Sequence, residues 1–272
     1  MDNFQLSLHF SINGIGATSG LIYKENSLFI ISDNSSFLYE YILDTKILSK
    51  IKLTETSQEN IAKKDKLDFE SISLFENKLY IYGSGSTKKR NERFTYNLET
   101  KEIKRKNIAT LYQKLKDFSS ISDDDLNIEG AIIDAENYYF FQRGLGDSSK
   151  NGIFIYNKKN KNIQFNSIKL PKVNTVEATF TDAILVENTV YFLAAAENTT
   201  STYDDGEILG SFLGSFNLEN KILLFIQKIS DKNKFEGLTL YQKSEAEIEF
   251  LLCEDNDTEE LKSDIYKLGI RL

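Results

Sequence analysis

Ser19-Gly20-Leu21, Glu70-Ser71-Ile72, Glu129-Gly130-Ala131, Thr181-Asp182-Ala183 and Glu236-Gly237-Leu238 are five versions of one short phrase, and each opens an apolar strand. The copies lie 51, 59, 52 and 55 residues apart. A strand-rich unit that repeats every few tens of residues marks a propeller or a solenoid. Outward from each phrase, turn residues cut the repeat into short strands. The first repeat reads as strands at 19–24, 27–32, 37–43 and 47–53, and the second at 69–75, 78–82, 93–98 and 102–106. The third reads 128–133, 138–142, 152–156 and 163–170, and the fourth 179–186, 189–194, 212–217 and 222–229.

The last repeat offers only 235–241, 248–253 and 264–270. Its missing strand lies at the other end of the chain, where Leu6, Leu8, Phe10 and Ile12 alternate with period two over 5–12. Pairing the two ends hides strand edges that would otherwise template aggregation. The expectation is an all-β chain, 1–272 in one domain, forming a five-bladed β-propeller of four-stranded blades. One stretch breaks the pattern: Ile108, Leu111, Tyr112, Leu115 and Phe118 fall at helical spacing over 108–121, which predicts a short amphipathic helix. The Asp123-Asp124-Asp125 triplet after it reads as a solvated loop before it reads as a metal site.

With 40% hydrophobic residues the chain can bury a large core, and with no Trp the aromatic content rests on Phe and Tyr, which favour strands. A net charge of −8 argues against a nucleic-acid partner. The Lys88-Lys89-Arg90 and Lys158-Lys159 runs read as solvated turns. Cys253 is the only cysteine, so no internal disulfide can form and a reducing, cytoplasmic location is compatible. The first residues do not read as an export signal, and no stretch is long and apolar enough to span a membrane.

In a propeller the first strand of every blade lines a central channel. The five phrases therefore set Ser19, Glu70, Glu129, Thr181 and Glu236 at one level around the axis. Three carboxylates that close repel one another unless they are protonated or bridged by a cation. Ca2+ suits a mixed cage of carboxylate and neutral oxygens, whereas one His and one Cys leave zinc almost no ligands. The plainer alternative is a water-filled channel in which Gly recurs at a tight bend. A second ring at the ends of the second strands contains Asp33-Asn34, Ser84, Arg143, Glu197-Asn198 and Glu254-Asp255-Asn256. There Arg143 either holds a phosphate or carboxylate, or forms a structural Arg–Glu pair across the mouth. Gly83-Ser84-Gly85-Ser86-Thr87 lacks the Lys-Ser/Thr of a phosphate loop. His9 belongs to the closing strand, remote from the channel, and Cys253 reads as a core residue.

Aligned on these phrases, the chain resembles the soluble calcium-activated nucleotidases (apyrases), which are five-bladed propellers. That resemblance implies a channel Ca2+ held by Ser19, Glu70, Glu129, Thr181 and Glu236, with Thr in place of the family's fourth Ser. The family's acidic residue after the first Ser is Gly20 here, its tryptophan beside the second glutamate is Ser71, and its paired arginines reduce to Arg143. The chain also looks like a group of uncharacterised bacterial propellers, for which no activity is implied.

Three functions follow as expectations. The first is a Ca2+-dependent hydrolase of a phosphorylated small molecule, acting on a phosphoanhydride or phosphoester, with Asp33 or Glu197 as general base and Arg143 offsetting developing charge. The second is a non-catalytic propeller that binds a protein or glycan. The third is a metal-assisted lactonase or esterase.

Overall fold

The computed structural model describes residues 4–145, 149–199, 206–255 and 260–271, and among them five four-stranded antiparallel sheets follow one another around an axis. Blade 1 runs Thr18–Lys24, Ser27–Ser32, Phe37–Ile42 and Ile47–Lys52 from axis to rim. Blade 2 is Phe69–Phe75, Lys78–Gly83, Glu92–Asn97 and Ile103–Asn107, and blade 3 is Ile128–Ile133, Asn137–Gln142, Gly152–Asn157 and Ile163–Ser167. Blade 4 is Thr179–Val186, Thr189–Asn198, Glu207–Asn217 and Leu223–Ser230. Blade 5 joins Lys234–Lys243, Glu247–Asp255 and Lys262–Arg271 to the N-terminal strand Phe4–Asn13, which pairs antiparallel with Lys262–Arg271. Each inner strand packs against the inner strands of both neighbours, so the ring closes.

Local chemistry explains the strands. Two-residue turns at Glu25-Asn26 and Glu76-Asn77 have both residues at positive φ, the conformation whose twist matches a hairpin. Asn97, Asn157 and Asn217 each end a third strand and accept two backbone amides from the turn that follows, the hydrogen bonding that makes Asn a turn former.

No sheet here could bury both faces alone. Five hydrophobic clusters fill the five seams between neighbouring blades, as with Ile31, Leu38, Phe69 and Phe94 between blades 1 and 2 and Phe141, Phe180, Phe192 and Phe216 between blades 3 and 4. Helix α1 (Ala109–Ser119) buries Tyr112 and Leu115 in the seam of blades 2 and 3. Phe118, which the helical spacing assigned to the same face, is 55% exposed, because the stripe drifts off the seam in the last turn.

Differences from the sequence reading lie mostly at strand ends. The second and third strands of blade 4 extend to Asn198 and back to Glu207, well past the apolar cores that marked them. The stretch read as one strand over 163–170 stops at Ser167 and gives way to a small hairpin, Lys172–Val173 with Val176–Glu177. Among the described residues no helix is long and apolar enough to cross a membrane.

The glycines of the phrase mark where inner strands touch. A Cβ on Gly237 would lie 2.5 Å from both Cys253 Sγ and Leu21 Cδ2, and 2.9 Å from the Gly20 Cα of blade 1. Gly237→Ala is therefore expected to destabilise the fold by about 1–3 kcal/mol through overpacking, read from urea unfolding. Gly269→Ala, whose nearest neighbour is the movable end of Glu247 at 2.7 Å, serves as the control. Equal midpoints for the two variants would refute close blade approach at Gly237.

Candidate functional site

All five inner strands carry a β-bulge at the phrase, and the bulged residue is in every case the predicted ring member. The pairing steps from Thr18 to Gly20, Phe69 to Ser71, Ile128 to Gly130, Phe180 to Asp182 and Phe235 to Gly237. Ser19, Glu70, Glu129, Thr181 and Glu236 are thus left without a cross-strand partner. Bulges re-aim side chains next to functional sites, and here they do so with five-fold repetition.

The ring is not uniform. The two hydroxyls donate across blade boundaries: Ser19 to the carbonyl of Phe69, and Thr181 to that of Phe235 at 2.7 Å. Each accepting carbonyl belongs to the residue just before the next blade's glutamate. Asp182, one residue below the ring, accepts from the Leu238 amide of blade 5 at 2.7 Å and from the Ala183 amide at 2.7 Å.

The glutamates meet cations. Arg143 binds Glu129 at 3.2 Å with one end of its fork and Glu197 of the next blade with the other. This is the structural Arg–Glu pair across the mouth that the sequence allowed. The Arg143 Nε is buried without a partner. Lys234, 95% buried, lies 2.9 Å from Glu236, 3.7 Å from Asp255 and 3.9 Å from Glu197. Glu197 also accepts the Gly206 amide at 2.6 Å, and Asn127 donates to Glu129 at 2.6 Å.

Glu70 differs from both. It makes no hydrogen bond or ion pair among the described residues and is only half-buried, beside Asp68 and Asp33. One carboxylate oxygen from each of the three lies within 4.8 Å of the others. Asp33 is ion-paired to Lys66, and its Oδ1 is buried with no partner. Asp68 is held by Arg90 at 2.7 Å and by the Ser84 hydroxyl at 2.5 Å. Arg90 thus departs from the solvated-turn expectation for its run, because Asp68 draws it inside, while Lys89 stays exposed with Asp65. Of the acidic triplet, Asp123 pairs with Lys116 at 2.6 Å and does not join the ring.

Among the described residues one end of the channel therefore holds eight acids (Asp33, Asp68, Glu70, Glu129, Asp182, Glu197, Glu236, Asp255) against four bases (Lys66, Arg90, Arg143, Lys234). The protonation equilibria report this excess. Burial, reinforced by neighbouring carboxylates, raises Glu70 well above the usual range and pushes Glu236 up to about 8. Burial also raises Glu129, Asp33 and Asp182. It would lower Lys66 and Lys234, yet both are raised, because Asp33 and Glu236 respectively, with other acids around them, outweigh desolvation. The raised lysines report the surrounding negative charge, whereas burial is the first cause of the raised carboxyls.

Sequence reading missed Lys66, Asp68, Arg90 and Lys234. Two of them carried a signal. Asp68, Asn127, Thr179 and Lys234 all sit two residues before the ring member, separated from it by one core residue. Extending the period-two pattern upstream of the phrase would have found them. His9 is exposed on the rim strand and Cys253 is fully buried, as the sequence indicated. Asn256 of the second ring lies outside the described residues. Beside Glu197 a cleft of about 800 Å3 opens between blades 3 and 4, lined in part by Asn151, Glu177, Thr179 and Asn198.

Fold and site together define a five-bladed β-propeller with a buried, acid-rich axial cluster. The chain belongs to a family of unknown function (DUF6929), whose model matches residues 14–270. No curated protein matches it. Among solved structures it is similar to a glutaminyl cyclase from Myxococcus xanthus, with 8% identity, a TM-score of 0.55, and 98% of this chain and 97% of that one covered. It is also similar to the major Malassezia sympodialis allergen Mala s 1, with 11% identity, a TM-score of 0.58 and 96% of each chain covered. At such identities the likeness is one of fold.

Proposed function

We propose that this protein is a cation-binding propeller that holds a hard divalent ion, Ca2+ by its oxygen donors, at the Glu70 edge of the channel. The observation that carries the reading is the acid excess, focused where, among the described residues, Glu70 has no partner and Asp33 Oδ1 is buried without a hydrogen bond. Glu70, Asp33 and Asp68 are the first donors. The Ser19 and Thr181 oxygens keep lone pairs after donating to carbonyls. Glu129 and Glu236 already have Arg143 and Lys234 as counter-ions, so they contribute mainly field. The nucleotidase resemblance supports the same ring.

A bound divalent ion supplies Lewis-acid polarisation and lowers the pKa of a coordinated water. A phosphohydrolase also needs cations aimed at the transferring group. Here both ends of the Arg143 fork and the Lys234 ammonium are engaged by carboxylates. That arrangement favours an ion that ties blades together beneath a binding mouth, with the cleft beside Glu197 as the place for a protein or glycan partner.

Elemental analysis before and after chelation and Ca2+ re-addition tests the ion, with about one reloadable equivalent expected. A phosphate-release screen over nucleotides and phosphoesters then separates the readings, since turnover lost on chelation would restore the hydrolase. A companion measurement uses pH. Carboxyls whose folded pKa is raised stabilise the fold at low pH and lose that contribution as pH rises from the ordinary 4.5 through about 8, the range given by Glu236. The chelated protein is expected to melt progressively lower across that window, and saturating Ca2+ to flatten the slope. Parallel slopes with and without Ca2+ would remove the ion from the channel.

A further inference from the structure

Away from the channel, a groove of about 360 Å3 runs along the seam of blades 2 and 3, and its charge is opposite to that of the protein. Its wall includes Arg93, Lys106, Lys114, Lys158 and Lys161, two tyrosines, Tyr138 and Tyr156, and no acidic residue. None of the five cations makes an ion pair among the described residues. The two tyrosine hydroxyls have no hydrogen-bond partner there either. The Arg93 Nε is buried and unbonded, while its guanidinium lies over the Tyr80 ring at 5.5 Å. Lys158 is anchored over Phe75 at 4.5 Å and Tyr138 at 4.9 Å, donating to the Asp134 carbonyl. The first turn of α1 closes one end through Thr110 and Leu111.

The surrounding sequence shows that this is a regional feature. Residues 78–116 carry eleven bases and three acids, and 149–172 carry six lysines and no acid, in a chain of net charge −8. Unpaired cations crowded into one concavity repel each other, and that cost is relieved by a polyanion. The α1 N-terminus adds the positive end of its dipole. The volume falls in the range of small-molecule sites.

We propose that the seam of blades 2 and 3 is a binding site for a small ligand carrying a phosphate or diphosphate group. Lys106, Lys114 and Lys161 would hold the anion, Arg93 would bind it through its fork, and the Tyr138 and Tyr156 hydroxyls would donate to it.

The test is calorimetric titration of the chelated protein with inorganic pyrophosphate in 150 mM chloride, which removes any channel ion from the outcome. Saturable binding tighter than about 1 mM is expected, with at least a tenfold loss in Lys106→Ala/Lys114→Ala, whose side chains are exposed and make no fold contacts through charge. Glu70→Gln should leave this binding unchanged, separating it from the axial site. No saturable binding, or affinity indifferent to the double substitution, overturns the proposal. So does a single-stranded oligonucleotide that binds a hundredfold tighter than pyrophosphate, which would make the seam a nucleic-acid surface.

Discussion

Glu70→Gln is expected to raise the melting temperature of the chelated protein at pH 8 and to abolish its response to Ca2+. Gln has the shape of Glu without the charge, and Glu70 is the ring carboxyl that no described partner neutralises. In the folded protein its ionisation is opposed by burial and by Asp68, Glu129 and Glu236, so removing the charge removes a cost. The gain should be several degrees at pH 8 and shrink as the pH falls toward the ordinary carboxylate range, where the unfolded chain takes up the same proton and the raised folded pKa no longer costs stability. In the wild type, Ca2+ at one hundred times its dissociation constant should stabilise by about 2.7 kcal/mol, roughly 5–10 °C for a chain of this size. The variant should show none of it. A variant that melts lower than wild type when chelated, or still gains stability from Ca2+, would place the ion elsewhere.

Arg143→Met carries the largest expected loss. Met fills most of the space but leaves Glu129 and Glu197, both buried, without the guanidinium that joins blade 3 to blade 4. Stranding one partner of a buried ion pair costs about 3–5 kcal/mol, which lowers the melting temperature by roughly 10 °C. Adding Glu129→Gln and Glu197→Gln to the same chain should recover a good part of that loss, because neither side chain then carries a charge stranded by the missing guanidinium. Lys89→Ala is the contrast: its pair with Asp65 is exposed on both sides, and such pairs contribute under about 1 kcal/mol. If Arg143→Met and Lys89→Ala cost the same, the axial pair is not a structural element.

The two variants differ in sign although both lie at the channel, and the difference rests on counter-charge. Arg143 and Lys234 are what allow Glu129, Glu197 and Glu236 to be buried. Glu70 was left out of that neutralisation, which makes it the place where a cation or a proton is still required.

The blade count, the strand order and the clasp of Phe4–Asn13 on Lys262–Arg271 were legible in the sequence by itself. So were the five ring positions, down to the residue that each bulge singles out. Period-two alternation and turn chemistry are local, and a five-fold repeat averages out local ambiguity. Strand ends were less legible, because polar residues such as Glu197 and Asn198 continue a strand through backbone pairing alone. What each ring member touches was decided only by tertiary structure. Lys66 reaches Asp33 from the connection between blades 1 and 2, Arg143 reaches Glu197 across a blade boundary, and the cations of the blade 2–3 seam converge from two strands of blade 2, helix α1 and a turn of blade 3. Charge acts through space over several ångströms regardless of chain separation, so no periodicity along the chain encodes which opposite charges will meet.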